Sequence, residues 1–242
     1  VLFVTARGTR RLLFESVAEQ LAHRSLLRFF SPDIASQLTN QPSEEETFGK
    51  EQPVAVLFTD IRSFTSLSEQ LSARELAALL SEFRAILADI IQQHGGVVDK
   101  FIGDAVMAVF GFPDPGQSSA KNCLACAHDM RRQVKQWSEK RVRDGQPPVG
   151  IGIGMHYGEA FVGVVGTDSL LEFTVIGDTV NIAERVERLT RALDADIAVS
   201  EEFALAARLD WELQGWSVSK NQTLAGHSRA INLIYLPEEK AP

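Results

Sequence analysis

Cysteine is nearly absent: the 242 residues hold only two, Cys123 and Cys126. With no second cysteine pair, neither a disulfide framework nor a cysteine-built zinc site can form, and small buried thiols in a reducing compartment are expected. A long apolar run is also missing. A membrane-spanning helix needs about 18 or more apolar residues, and no stretch provides them. Basic charge is in deficit, with 24 Lys and Arg against 32 Asp and Glu for a net charge of −8. Nonspecific nucleic-acid binding needs basic surface, so that function class is disfavoured. No internal repeat and no low-complexity tract interrupts the chain. The 45% hydrophobic content suffices for a packed core in one large domain, with or without an extension.

Against these absences, three stretches stand out. The first is GGVVDKFIGDAVMAVFG, Gly95 to Gly111. Two apolar runs flank Gly103-Asp104, the pattern of a tight hairpin with Asp104 at its tip and Lys100 on the entering strand. Taken alone it reads equally as an ordinary turn, because turns favour Gly and Asp for backbone reasons. The second is VAVLFTDIRSFT, Val54 to Thr65: a buried strand over Val54–Phe58 that ends at Asp60 and is followed by a polar segment and a helix. Two carboxylates at neighbouring strand ends repel unless a cation lies between them. Two Mg²⁺ ions roughly 4 Å apart would hold both oxygens of a phosphoryl transfer. The third is EFTVIGDTVNIAERVERL, Glu172 to Leu189, with Asp178 as the expected N-cap of a helix. Asn181 and Arg185 are four apart and share one helix face.

Together FTDIRSFT, DKFIGDAVMAVFG and TVIGDTVNIAERVE resemble the catalytic domain of class III adenylate cyclases of bacterial type. The resemblance runs from about Pro53 to Leu236. It implies that Asp60 and Asp104 hold two Mg²⁺ or Mn²⁺ ions with help from the Ile61 carbonyl. It implies that Lys100 and Thr174 read adenine, that Asn181 orients the ribose and that Arg185 stabilises charge in the transition state. Thr174 stands where many relatives carry Asp, which places the chain with the Thr-containing subgroup. Guanylate-specific relatives typically have Glu and Cys at the two base-reading positions, so ATP is the expected substrate. The backbone of Ile61 to Thr65, including Phe64 and Thr65, is expected to face phosphate oxygens. The family further implies a head-to-tail homodimer with two shared sites. One departure concerns the Lys that relatives often carry in the C-terminal hairpin: Ala225 stands at that position, and Lys220 is a neighbouring substitute. A guanylate cyclase and a degenerate, nucleotide-binding regulatory domain are the alternative functions.

The rest of the chain predicts an α+β fold, ferredoxin-like or palm-type: an antiparallel sheet with helices on one face, preceded by an N-terminal helical linker. Residues 1–52 form the expected linker or transducer segment and residues 53–242 the catalytic domain. Within the linker, residues 11–30 carry a near-heptad apolar pattern, RFFSPDIASQL resembles the segment that joins such domains to an upstream sensor, and Asn40 to Gln52 is polar. Val1 to Ala6, followed by RGTRR, reads either as the end of a membrane span with a basic flank or as a cloning remnant, so a cytoplasmic location is expected, on the first reading as the cytoplasmic portion of a membrane-anchored protein. A helix over Ser72–Gln93 carries a Ser72/Glu75 capping pattern and a 3.6-residue apolar stripe. A second helix is expected over Ser119–Glu139. Val149–Met155 and Ala160–Val165 read as two antiparallel strands joined around Tyr157-Gly158-Glu159. The alternating Gly150, Gly152 and Gly154 suggest close backbone approach at a subunit interface. A strand at Ile197–Ser200, a short helix near Glu201–Arg208 and terminal strands that include Ile231–Leu236 complete the pattern.

Overall fold

The computed structural model describes residues 49–112, 118–167, 170–224 and 230–238. The expected N-terminal helix, the RFFSPDIASQL segment, most of the polar linker and Ala225 lie outside the described residues.

The polypeptide forms β1 (Lys50–Ile61), α1 (Phe64–Gln70), α2 (Ala73–Gln93), β2 (Val97–Ile102), β3 (Ala105–Phe110), α3 (Ser119–Arg143), β4 (Ile151–Thr167), β5 (Leu170–Ile176), α4 (Asp178–Ala192), β6 (Ala195–Ser200), α5 (Glu201–Ala207), β7 (Ser217–Thr223) and β8 (Ala230–Pro237). The strands make one sheet in the order β2-β3-β1-β4-β6-β8-β7, with β5 paired to β4. All pairings are antiparallel except β4 with β6. This is the expected α+β architecture. β1 begins at Lys50, so Lys50 to Gln52, expected in the linker, are strand.

Two further expectations are corrected. The stretch from Val149 to Val165 is one continuous strand from Ile151, not a hairpin. β1 pairs with it without interruption from Ile151 to Val162, so Tyr157-Gly158-Glu159 is held extended opposite Pro53 to Ala55. On its other edge β4 serves two partners in succession, β6 through Ile153–Met155 and β5 through Phe161–Thr167. Helices also cover both faces of the sheet rather than one. Ala55, Leu57, Ala108, Phe110, Ile197 and Val199 share a core with α2, α3 and α5. Val54, Val56, Phe58, Met107 and Val109, the alternate positions, pack instead with Ala183 of α4. This split follows from the strand period of two.

α2 begins as its sequence requires. The Glu75 N–H donates to the Ser72 hydroxyl at 3.3 Å, and the Ser72 N–H donates to the Glu75 carboxylate at 2.8 Å. Leu79, Phe83, Leu87, Ile90 and Ile91 carry its apolar stripe into the core. In α3, Ala127, Met130 and Val134 point inward, and Cys123 and Cys126 are buried free thiols beside them. Burial, together with the charge of Asp129, pushes the Cys126 thiol up to about 12, so it remains a packing group rather than a nucleophile.

The glycine stripe on β4 has a defined cause. A Cβ at Gly154 would lie 2.1 Å from the Glu187 nitrogen and 2.3 Å from its Cα. The approaching backbone is therefore this chain's own α4, not the partner subunit anticipated from sequence. Gly154→Ala should cost at least about 2 kcal/mol, because backbone must move to admit the methyl. At Gly150 the nearest atoms are the Arg62 side chain at 3.4 and 3.6 Å, an ordinary contact. Gly150→Ala should accordingly stay within about 0.5 kcal/mol of the parent. Urea unfolding of the two variants measures the contrast; equal effects would mean that α4 does not press on β4.

Candidate active site

Asp60 is the penultimate residue of β1, on the sheet face that α4 covers, directly opposite Gly152. Asp104 sits at the tip of the β2–β3 hairpin. Ile102 pairs with Ala105, which leaves a two-residue turn, and Gly103 adopts φ 63°, a left-handed value that suits glycine. The hairpin tip meets the end of β1: the Ile61 N–H donates to Asp104 Oδ2 at 3.3 Å. The two expected metal carboxylates thus converge around the Ile61 peptide. Burial lifts the Asp104 carboxyl above its ordinary value; its own backbone N–H pulls it back, and the charge of Asp60 raises it again.

Three residues that sequence reading passed over complete this end of the sheet. Arg191, in the last turn of α4, places Nη2 2.9 Å from both carboxylate oxygens of Asp60. Glu187, one turn earlier, is buried against Gly152 and Gly154. Its Oε1 has no hydrogen-bond partner among the described residues, and the same holds for Nη1 of Arg62. Both lie beside Gly152: a Cβ there would be 2.8 Å from Glu187 Oε1 and 2.9 Å from Arg62 Cζ. Arg62 also donates from Nη2 to the Ala195 carbonyl at 2.5 Å. The available signal was the ERLTR run from Glu187 to Arg191, since its two end residues are spaced i, i+4 and so share a helix face with each other but not with Asn181.

The donor set suits a hard cation. Among the described residues no group of three or more His, Cys, Asp or Glu side chains could hold a metal ion. Mg²⁺ uses one or two carboxylates and takes its remaining oxygens from water and phosphates, which matches Asp60, Asp104 and the Ile61 carbonyl. The Arg191 nitrogen, equidistant from the two Asp60 oxygens, shows that this carboxylate accepts a cation here.

A second group forms where β2 faces β5. Thr174 Oγ1 donates to Asp99 Oδ2 at 3.3 Å, and the Val175 N–H donates to Asp99 Oδ1 at 3.3 Å. Lys100 Nζ lies 3.7 Å from the same Asp99 Oδ2. The two expected base-reading residues are therefore joined through a carboxylate that sequence reading did not single out. A bulge makes this arrangement: β2 gains a residue between Val98 and Lys100, so Lys100, and not Asp99, stands opposite Met107.

The remaining expected residues occupy α4, α1 and β7. Asp178 is the first helical residue of α4, and Gly177 takes the N-cap position assigned to it. Asn181 is exposed and Arg185 half-buried on the same helix. Phe64 and Thr65 open α1, directly after Ser63 in a left-handed turn at φ 55°. Lys220 is exposed on β7.

A family profile described as "Adenylate and Guanylate cyclase catalytic domain" matches residues 47–225. The chain belongs to this family. It is 32% identical over 184 residues to an adenylate cyclase of Anabaena cylindrica, covering 74% of this chain and 36% of that protein. It is 30% identical over 181 residues to adenylate cyclase 1 of Rhizobium meliloti, covering 73% of this chain and 27% of that one. The chain thus spans about a third of the length of the curated relatives it matches. Among solved structures it is similar to the adenylyl cyclase CyaB from P. aeruginosa, with TM-score 0.70 and 29% identity over 79% of this chain and 96% of that one. It is similar as well to the guanylyl cyclase Cya2, with TM-score 0.68 and 28% identity over the same shares. The cyclase chain therefore has structural neighbours of both base specificities. No helix among its described residues is long and apolar enough to cross a membrane.

The buried Glu187 gives a pH prediction for the cyclase chain with no divalent ion added. Burial, reinforced by the charge of Asp60, raises its carboxyl from 4.5 to about 7. A carboxyl raised on folding leaves the native state at full strength below its unfolded value. Stability is then lost as pH climbs through the folded value, here between about 4.5 and 7. The total is on the order of 3 kcal/mol. Glu187→Gln should flatten that decline, so its advantage over the parent should grow from pH 4.5 to pH 8. Urea midpoints across this range measure it; parallel pH curves would show that Glu187 titrates as an ordinary carboxyl.

Proposed function

We propose that the chain carries an adenylate cyclase that converts ATP to 3′,5′-cyclic AMP and pyrophosphate at sites shared by two subunits. The observation that carries this reading is the convergence of Asp60 and Asp104 on the Ile61 peptide, from two separated parts of the sequence. Two divalent ions, Mg²⁺ or Mn²⁺, would be held there and would supply Lewis-acid activation of the ribose 3′-hydroxyl and charge neutralisation on the triphosphate.

The remaining roles belong to the protein's own residues. Asn181 orients the ribose. Arg185 faces the charge that develops on the phosphates, so its removal lowers turnover more than binding. Phe64 and Thr65 present backbone N–H groups beyond Asp60, where phosphate oxygens would lie. Lys220 is the neighbouring basic side chain proposed to stand in for the triphosphate lysine that relatives carry. The proton of the 3′-hydroxyl passes to water or to a substrate phosphate, since no dedicated side-chain base is evident.

Base choice rests on Lys100 and Thr174. An ammonium can only donate, and adenine offers an acceptor at N1 where guanine carries N–H. The Thr174 hydroxyl can accept from the adenine amino group. Asp99, bonded to Thr174 and beside Lys100, would hold both in place. The guanylyl reading draws support from the likeness to Cya2. Against it stand Lys100 and Thr174, in place of the Glu and Cys typical of guanylate-specific relatives. A degenerate, binding-only domain is disfavoured because Asp60, Asp104, Asn181 and Arg185 are all present.

Incubation of the purified chain with ATP or GTP and Mn²⁺ tests the proposal. Cyclic AMP should form from ATP well above any cyclic GMP from GTP. Asp60→Asn and Asp104→Asn should each lower turnover by about 10²-fold or more with circular dichroism unchanged. Near-native activity in either variant would remove the metal assignment. Lys100→Glu combined with Thr174→Cys should cut ATP turnover by up to about 10⁴-fold. Unchanged ATP kinetics in that double variant would remove the base-reading role.

A further inference from the structure

Arg191 sits where an ion would sit. One nitrogen, 2.9 Å from each Asp60 oxygen, occupies the axis along which a cation binds a carboxylate. Mg²⁺ on that carboxylate would stand at about 2.0–2.1 Å, too close for the guanidinium nitrogen to remain. The contact is built to open. The Arg191 side chain is 55% exposed and that of Asp60 22%, so the ion pair is weak and water reaches the guanidinium. An alternative acceptor lies one helical turn back. Glu187 has a buried oxygen without a hydrogen-bond partner among the described residues. That oxygen lies beside Gly152, the residue directly opposite Asp60 on the neighbouring strand. A Glu four residues before a basic residue is the favourable order for a helix pair.

We propose that Arg191 is a positioning residue that competes with the divalent ion for Asp60 and transfers to Glu187 when the ion binds. It holds the Asp60 carboxylate in place until metal arrives, and it sets the ion concentration at which the site loads. This rests on the reading of Asp60 as a metal ligand. It differs from a merely structural role in sign: loss of a structural support weakens metal binding, whereas loss of a competitor strengthens it.

Mn²⁺ binding, followed by the electron paramagnetic resonance signal of the free ion, separates the cases without recourse to turnover. The 242-residue chain is titrated as parent, Asp60→Asn, Arg191→Gln, Arg191→Lys, Glu187→Gln and the Arg191→Gln/Glu187→Gln double variant. Arg191→Gln should tighten the Asp60-dependent Mn²⁺ Kd by about two- to fivefold, the range for a partly exposed ion pair. Arg191→Lys should fall between it and the parent. Glu187→Gln should weaken Mn²⁺ binding more in the parent than in the Arg191→Gln background, because only the parent has a displaced guanidinium to receive. An Arg191→Gln Kd equal to or weaker than the parent's overturns the competition, and equal effects of Glu187→Gln in both backgrounds overturn the transfer. Mn²⁺ binding that ignores Asp60→Asn overturns the metal reading itself, and the proposal with it.

Discussion

The close approach of α4 to β4 is the constraint on which the rest of the structure depends. Gly152 and Gly154 remove the side chains that would hold the helix off the sheet. The helix therefore lies over the strand that pairs with β1, and its second half reaches the end of β1 where Asp60 stands. Glu187 becomes buried, Arg191 reaches Asp60, and Asn181 and Arg185 are fixed on the earlier turns of the same rigid element. A single packing contact thus aligns one helix with the carboxylate end of the sheet. The arrangement carries a cost: Glu187 lies in a low-dielectric environment, where its charged form is disfavoured. Such a cost is common where a carboxylate is kept close to chemistry.

The β2–β3 hairpin supplies the second organising element. Its tip delivers Asp104 to the Ile61 amide, and its bulge turns Lys100 toward the place where Asp99 meets Thr174. One short hairpin therefore serves both the carboxylate group and the proposed base-reading group. In the proposed dimer those two groups work in different sites, so each hairpin would tie together two active centres. Small shifts of the hairpin would then affect metal loading and base fit at once.

Much of this was legible in the sequence because it lay in local signals. The Ser72/Glu75 cap, the Gly103-Asp104 turn and the apolar stripe of α2 are set by neighbours within a few residues, and they appear as read. The long strand β4 was not, because Tyr157-Gly158-Glu159 carries turn residues locally while its pairing with Pro53 to Ala55 of β1 holds it extended. The placement of α4 on the second sheet face was missed for a related reason: Val180, Ile182, Val186 and Leu189 announce a buried stripe but not which face receives it. Asp99, Glu187 and Arg191 were passed over because their significance is entirely tertiary. Each is an unremarkable charge in its own segment, and its partner lies on a distant strand or helix.

The central claim is that one chain carries two half-sites, a carboxylate half at Asp60 and Asp104 and a second half at Lys100, Thr174, Asn181 and Arg185, completed by a second copy. Subunit complementation tests it most directly. Asp104→Asn and Arg185→Ala homodimers should each be nearly inactive, since every site carries the defect. After mixing and verified exchange, about half the dimers are mixed, and each mixed dimer has one site with both defects and one with neither. Cyclic AMP formation should recover toward about a quarter of the parent rate, by counting from two-fold symmetry. Activity that stays at the level of the separate variants despite exchange would mean that each site is built within one chain, contradicting the account.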